Sequence, residues 1–414
     1  MKSINTTHSQ SGAVSIFVVV FAALLLSIIT IGFVRLMVAD QQRATNNDLS
    51  QSAYDSALTG VEDVKRSLLR YQSYCQSSGP ALCAAKRDQL TQDVCNVAVA
   101  DVVSAGDQPN AGGEVLIQQQ TGSGTNDTDL NQAYTCVKMR LDTPDYVGNI
   151  ASNASALIPL IASKEPAVDG APANDGTFNE VTIQWFNSDD LAGGTDVTLP
   201  TSLGDRPLVS KGNWVPTRPP VMRVGLMQYG TSFKLEDFDS LKANGQSNAH
   251  TMFLYPSKVI NSETVMATQD KREELPNTLP ADGAATPYAT LCSETVTGDA
   301  GNYSCEMKLR IPDAVNSDAL GNRTAYLRLT ALYNLTHFRI TLSKDNSPRL
   351  FSDVQASVDS TGRANDLFRR VQSRIDMIDT TFPYPDAALD IGGDLCKNFS
   401  VTDVEYFPGT TCAP

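Results

Sequence analysis

Residues 13–34 read AVSIFVVVFAALLLSIITIGFV, 22 positions without a charge. No other stretch limits the chain's possible folds as tightly. As a helix rising 1.5 Å per residue, the run is roughly 33 Å long, enough to cross a hydrocarbon core of about 30 Å. Ser15, Ser27 and Thr30 interrupt it only mildly, because their hydroxyls can bond back to helix carbonyls. A soluble domain seldom hides so long an apolar helix. A cleaved secretory signal has an apolar region of about 7–15 residues and then a small-x-small site. Here the run is longer and leads into Arg35-Leu36-Met37-Val38-Ala39. The expectation is a retained single-pass anchor in membrane lipid. Only one such run exists, which excludes a polytopic membrane protein.

Charge divides the chain. The 414 residues carry 32 Lys and Arg against 46 Asp and Glu, a formal charge of −14. Residues 1–71 hold six basic and five acidic side chains, leaving 26 basic and 41 acidic ones on residues 72–414. That acidic bulk lacks the concentrated basic face that phosphate contacts need, so no nucleic-acid partner is expected. Its 41% hydrophobic content is too high for a disordered acidic tail.

Orientation is undecided by the flanking charges, with Lys2 before the span and Arg35 and Arg43 after it. The cysteines break the tie. All eight, Cys75, Cys83, Cys95, Cys136, Cys292, Cys305, Cys396 and Cys412, follow the span. None forms a CxxC pair and the chain has only three histidines, which disfavours a zinc ribbon or a thioredoxin-type site. Disulfides in an oxidising compartment remain, placing the C-terminal part outside the cytoplasm. Short loops favour neighbours: Cys75–Cys83, Cys95–Cys136, Cys292–Cys305 and Cys396–Cys412.

The helix is expected to continue past the anchor. Leu49, Ala53, Ala57, Val61, Val64, Leu68 and Tyr71 recur at spacings of three or four, and no proline precedes Pro80. One helix over 13–71 follows, transmembrane over 13–34 and amphipathic over 40–71, behind a leader at 1–12. Its one-sided half must lie against its own domain or a neighbouring helix. From about residue 72 the texture changes to short alternating runs between clusters of turn residues. Val181, Ile183 and Trp185 alternate with polar residues. So do Cys305, Met307, Leu309 and Ile311; Ala325, Leu327, Leu329, Ala331 and Tyr333; and Phe338, Ile340 and Leu342. Leu367, Arg369, Val371, Ser373, Ile375 and Met377 share a face less cleanly. Period-two patterning predicts antiparallel sheet with one wet side. The fold class is therefore α+β: a long N-terminal helix, then a disulfide-stapled, mainly antiparallel β ectodomain over 72–414, with possible lobes at 72–215 and 216–414. Tyr134–Leu141 faintly echoes Tyr303–Ile311, but the echo slips by one residue, which reverses the face that the cysteine takes.

Catalytic signals are sparse. No GxSxG, HExxH or P-loop pattern occurs. Asn126-Asp127-Thr128-Asp129-Leu130-Asn131 resembles the start of a calcium loop, but Gln132 stands where glycine is required and Lys138 where a glutamate should be, so a solvated loop is expected. His337 falls in a strand-like run and reads as structural or surface. Arg369, Arg370 and Arg374 form a basic group, read either as a subunit or anion contact or as cross-strand pairing with carboxylates. Trp185 is expected in the core. Trp214 is either a recognition aromatic or a packed turn residue. No enzyme activity, cofactor or metal site is expected.

Two segments resemble a known family. A short leader ends in Gly12, and the apolar helix begins at once with Ala13. This is similar to the type III signal of type IV pilins and pseudopilins, nearest to the PilX-like minor pilins, whose apolar helix runs into an alanine-rich stretch like Ala53-Tyr54-Asp55-Ser56-Ala57. Val358-Asp359-Ser360-Thr361-Gly362-Arg363, leading into Arg369-Arg370-Val371-Gln372-Ser373-Arg374-Ile375, resembles a pilin-like hairpin with a Ser-x-Gly turn and an arginine-bearing strand. The resemblance implies cutting by a prepilin peptidase between Gly12 and Ala13. It implies other pilin-like subunits as partners through the helix, and a place on a bacterial cell membrane or surface filament. Filament-forming pilins usually carry a glutamate at the fifth mature position, where this chain has Phe17. A tip or initiating position therefore fits better than a bulk one. The expected function is a minor pilin-like subunit in filament assembly, priming or adhesion. An anchored adhesin or receptor outside any filament, and an anchored cell-wall glycan hydrolase, are the alternatives.

Overall fold

The computed structural model describes residues 12–103, 113–117, 119–120, 126–127, 131–164, 176–199, 211–229, 249–258, 264–266, 288–297, 302–316 and 324–378. Cys396 and Cys412 lie outside them, as do Thr128, Asp129 and residues 1–11 of the leader.

Helix α1 runs unbroken over Gly12–Ser77, 66 residues and about 100 Å. Ser27 and Thr30 bond back to the carbonyls of Ala23 (2.8 Å) and Leu26 (2.7 Å), which keeps their hydroxyls satisfied inside the apolar run. The helix ends where Pro80 forces the preceding residue out of helical conformation. Gly79 is extended (φ −70°, ψ 161°) and caps α2 (Pro80–Leu90), which has proline in its first turn. Sequence patterning placed the start of the β-rich part at residue 72. The structure instead carries α1 to Ser77 and adds α2, because the Gly79-Pro80 break reverses the chain without ending helical structure. The Cys75–Cys83 disulfide clips the two helices together.

The strands follow. They begin with β1 (Val115–Leu116), β2 (Gln119–Gln120), β3 (Asn126–Asp127), β4 (Gln132–Thr143), β5 (Tyr146–Ile150) and β6 (Ser155–Leu160). Next come β7 (Thr177–Trp185), β8 (Val221–Tyr229), β9 (Ala249–Ser257), β10 (Thr264–Met266), β11 (Tyr288–Leu291) and β12 (Cys305–Asn316). The last are β13 (Thr324–Leu332), β14 (Thr336–Lys344), β15 (Ser347–Arg349), β16 (Phe351–Ala364) and β17 (Leu367–Asp376). They build a sheet β1-β4-β16-β17, a sheet β10-β12-β7-β14-β15 with β5 also paired to β14, and a sheet β11-β9-β8-β13-β6. Pairing is antiparallel except for β10 with β12 and β11 with β9.

Two cores result. One lies between α1 and the β4-β16-β17 sheet, where Val61, Val64 and Leu68 meet Val137, Met139, Leu141, Ala356 and Val358. Burying Val61, Val64 and Leu68 contributes roughly 2 kcal/mol each. The other fills a sandwich of the two larger sheets, with Val181, Ile183, Trp185, Phe338 and Ile340 of one sheet facing Val224, Leu327 and Leu329 of the other. The chain enters the helix-backed core first, builds the sandwich, and returns along β16. Phe351 and Val354 belong to the sandwich core, whereas Ala356 and Val358 belong to the helix-backed one. The change occurs at a register break between Ser352 and Ser357, where Asp353 takes a left-handed conformation (φ 55°).

The strand echo separates as its slipped register requires. Cys136 is half-buried, opposite to the inward Val137 and Met139, and bonds Cys95; Cys305 is fully buried and bonds Cys292.

Candidate functional site: the N-terminal helix and its seat

The apolar half of α1 stands alone. Among the described residues it is the one helix long and apolar enough to cross a membrane, and none of its apolar window is buried against the rest of the chain. Phe17 is 78% exposed and Phe33 72%, values that water penalises and lipid does not. Gly12 opens the helix, with Ala13 next.

The other half is seated. Ala53, Ala57, Val61, Val64, Leu68 and Tyr71 are all buried on the sheet, and Leu49 is half-buried at the point where the seat begins. Two glycines set the depth. A Cβ on Gly362 would lie 2.2 Å from the Ala53 carbonyl oxygen and the Ala57 amide nitrogen. A Cβ on Gly60 would lie 2.5 Å from Ser360 Oγ and 2.6 Å from Val137 Cγ2. The Ser360 hydroxyl donates to the Ala57 carbonyl (2.7 Å), tying sheet to helix where they approach most closely. The sequence reading made Ser360-Thr361-Gly362 a turn. It lies instead inside β16; the hairpin turns at Asn365-Asp366, with Asn365 left-handed (φ 51°). Gly362 is needed for close approach to the helix, not for chain reversal.

The arginines do not converge. Arg369 Nε donates to Ser50 Oγ on α1 (2.8 Å), at the N-terminal end of the seat. Arg370 pairs with Asp359 on the adjacent strand, and that hydrogen bond holds the Asp359 carboxyl below its usual range. Arg374 pairs with Asp145 (2.6 Å). Cross-strand and loop pairing thus accounts for two of the three, and the third braces the helix.

The junction of the two cores has its own clamp, which sequence patterning missed. Arg87 on α2 pairs with Asp142 of β4 (2.8 Å) and with Asp353 at the β16 register break (3.3 Å). Burial opposes the guanidinium charge, but the two carboxylates outweigh it and raise its pKa. Burial raises the Asp353 pKa, with Arg87 working against it. The Tyr71 phenol, buried beside Asp353, is pushed up to about 12. No local pattern marks the clamp, because Arg87, Asp142 and Asp353 are more than 50 residues apart in sequence.

Elsewhere, Asn126 and Asp127 pair with Gln120 and Gln119 in a two-stranded ribbon, and Lys138 is bonded to Asp93 (2.9 Å). Among the described residues no group of three His, Cys, Asp or Glu side chains is placed to hold a metal ion. His337 Nδ1 lies 2.7 Å from Asp190, whose buried carboxylate also accepts from the His337 and Asn187 amides; the carboxylate joins β14 to the turn after β7. Trp185 is fully buried in the sandwich, its Nε1 donating to the Pro220 carbonyl (3.3 Å). Trp214 is half-buried in an aromatic cluster described below.

No family model matches the chain, and no curated protein aligns with it.

Proposed function

We propose that this chain is a minor pilin-like surface subunit, anchored by α1 in a bacterial cell membrane and acting in filament assembly, priming or adhesion. The observation that carries the reading is the two-sided use of one continuous helix: bare and apolar over its first half, sunk into an antiparallel sheet over its second. A rod of that kind dissolves in lipid as a monomer. Its uncharged surface can then pack against sister rods when subunits leave the bilayer, since one apolar face suits both surroundings. The rigid seat would carry the ectodomain with the rod. Phe17 supplies no carboxylate to pair with a neighbour's N-terminal amine, which favours a tip or initiating position.

N-terminal sequencing of the membrane-associated protein tests the processing step. A start at Ala13 supports it; an intact Met1 means a plain anchor. Phe17→Glu should raise the share of subunit recovered in sheared filaments. Unchanged recovery, with the subunit absent from filaments in both forms, would remove the filament reading.

A further inference from the structure

Arg218 lies in the segment leading into β8 and is only 9% exposed. A guanidinium carries five N–H donors and a charge that cannot be shed. Here Nη1 donates to the Asn213 carbonyl (3.2 Å), and the group lies 5.1 Å from the Trp214 ring centroid. Its Nε has no acceptor, and no carboxylate among the described residues pairs with it. The Trp214 Nε1 beside it is likewise buried without an acceptor. A buried cation without a carboxylate is poorly compensated, and each donor left without an acceptor adds to the cost.

The surroundings are aromatic and held firmly. Trp214 packs against Tyr333 (centroids 5.0 Å apart) and edge-on to Tyr255 (5.8 Å). Tyr333, just past β13, has φ of 81°, a conformation a bulky side chain adopts only when its neighbours impose it. Ser152 donates to its carbonyl (2.7 Å), and its amide donates to Asn153 Oδ1 (3.2 Å). Asn334 Nδ2 donates to the carbonyls of Val215 and Arg218, both at 2.8 Å, locking the two loops together. Val215, next to Trp214 in sequence, is 39% exposed.

We propose that the Trp214–Tyr333–Arg218 cluster is a binding subsite for a carboxylated sugar. The chemistry of each part selects that class. Aromatic faces accept the C–H face of a pyranose ring, and a guanidinium edge accepts a carboxylate through paired hydrogen bonds. The indole N–H then donates to a ring hydroxyl. A neutral sugar would leave Arg218 uncompensated, and an apolar peptide side chain would leave both donors unpaired. The subsite does not depend on filament membership.

The test uses the full-length chain in detergent micelles and its own fluorescence. The chain has two tryptophans, and Trp185 is fully buried, so a ligand-dependent signal belongs to Trp214. Titration with glucuronate should give a saturable change below about 20 mM, the range of a single weak subsite. Glucose and inorganic phosphate should each bind at least tenfold more weakly. Trp214→Phe should abolish the signal, and Arg218→Gln should weaken binding at least tenfold. Should Arg218→Gln fail to fold, Arg218→Lys serves instead: it keeps the charge, loses the planar pair of donors, and should weaken glucuronate binding by a similar factor. No saturable change with glucuronate, equal affinity for glucose or phosphate, or wild-type affinity in both variants would each overturn the proposal.

Discussion

Replacing Gly362 by alanine probes the seat of α1 directly. The new methyl carbon would stand 2.2 Å from the Ala53 carbonyl oxygen and the Ala57 amide nitrogen, and 2.8 Å from the Ser56 carbonyl carbon. All three are backbone atoms of a helix, so no side-chain rotation relieves the clash. Ordinary contact requires α1 to back away by about 1 Å, and a gap of that size forfeits a quarter to a half of the contact energy across it. Applied to Val61, Val64 and Leu68 at roughly 2 kcal/mol each, this costs about 1.5–3 kcal/mol. Stretching the Ser360–Ala57 hydrogen bond adds about 1 kcal/mol. The expected destabilisation is therefore about 3 kcal/mol. Urea unfolding of the full chain in micelles, followed by circular dichroism, should show the midpoint falling by about 1 M for an m-value near 3 kcal/mol/M. Gly60→Ala is the control. Its methyl meets buried side chains instead of helix backbone, Ser360 Oγ at 2.5 Å and Val137 Cγ2 at 2.6 Å. Turning Ser360 away breaks its bond to Ala57, about 1 kcal/mol, which a gain of about 1 kcal/mol in helix propensity offsets, so the net loss should be smaller than that of Gly362→Ala. A Gly362→Ala midpoint equal to wild type, or equal losses for the two variants, would refute the close-approach argument.

Other consequences are as direct. Glu180 is buried, and although burial works against its charge, hydrogen bonds from Arg310, Ser343 and the Asn346 amide lower its pKa below the model-peptide value of 4.5. It therefore contributes stability above pH 4.5 that disappears as pH falls through the lower folded value; Arg310 is half-exposed and stays solvated, so Glu180→Gln should cost about 1–2 kcal/mol at pH 7 and flatten the acid limb of a stability–pH curve. Replacing Cys95 and Cys136 together by serine opens a loop of sequence separation 41, worth about 4 kcal/mol of chain entropy, against about 2.6 kcal/mol for Cys75–Cys83 with separation 8. Thermal unfolding of the two double variants should keep that order. Ser360→Ala should cost about 1 kcal/mol by urea unfolding, a fraction of the Gly362 effect, since it deletes one hydrogen bond and leaves the helix in place.

Local periodicity made much of this protein legible in advance. A run without charges over 13–34, a stripe at three- and four-residue spacing through Tyr71, and period-two alternation in β7, β12, β13 and β14 are properties of neighbouring residues, and each is visible without knowing what it packs against. Alternation also identified Ala325, Leu327, Leu329 and Ala331 as inward-facing, yet it carried Tyr333 along with them. The strand ends at Leu332, and the left-handed turn at Tyr333 swings that ring to Trp214 instead. Similarly, Gly362 looked like a turn glycine because nothing in the sequence near it announces a helix some 300 positions earlier. Which segments are greasy, which are one-sided and which alternate can be read off the residues in order, since those properties depend on spacing along the chain. Only the packed fold brings β16 to link two cores, sets Arg87 between Asp142 and Asp353, and buries Arg218 with no carboxylate paired to it among the described residues. Each of those depends on groups brought together by chain reversal, and their separation in sequence leaves no local trace of their contact in space.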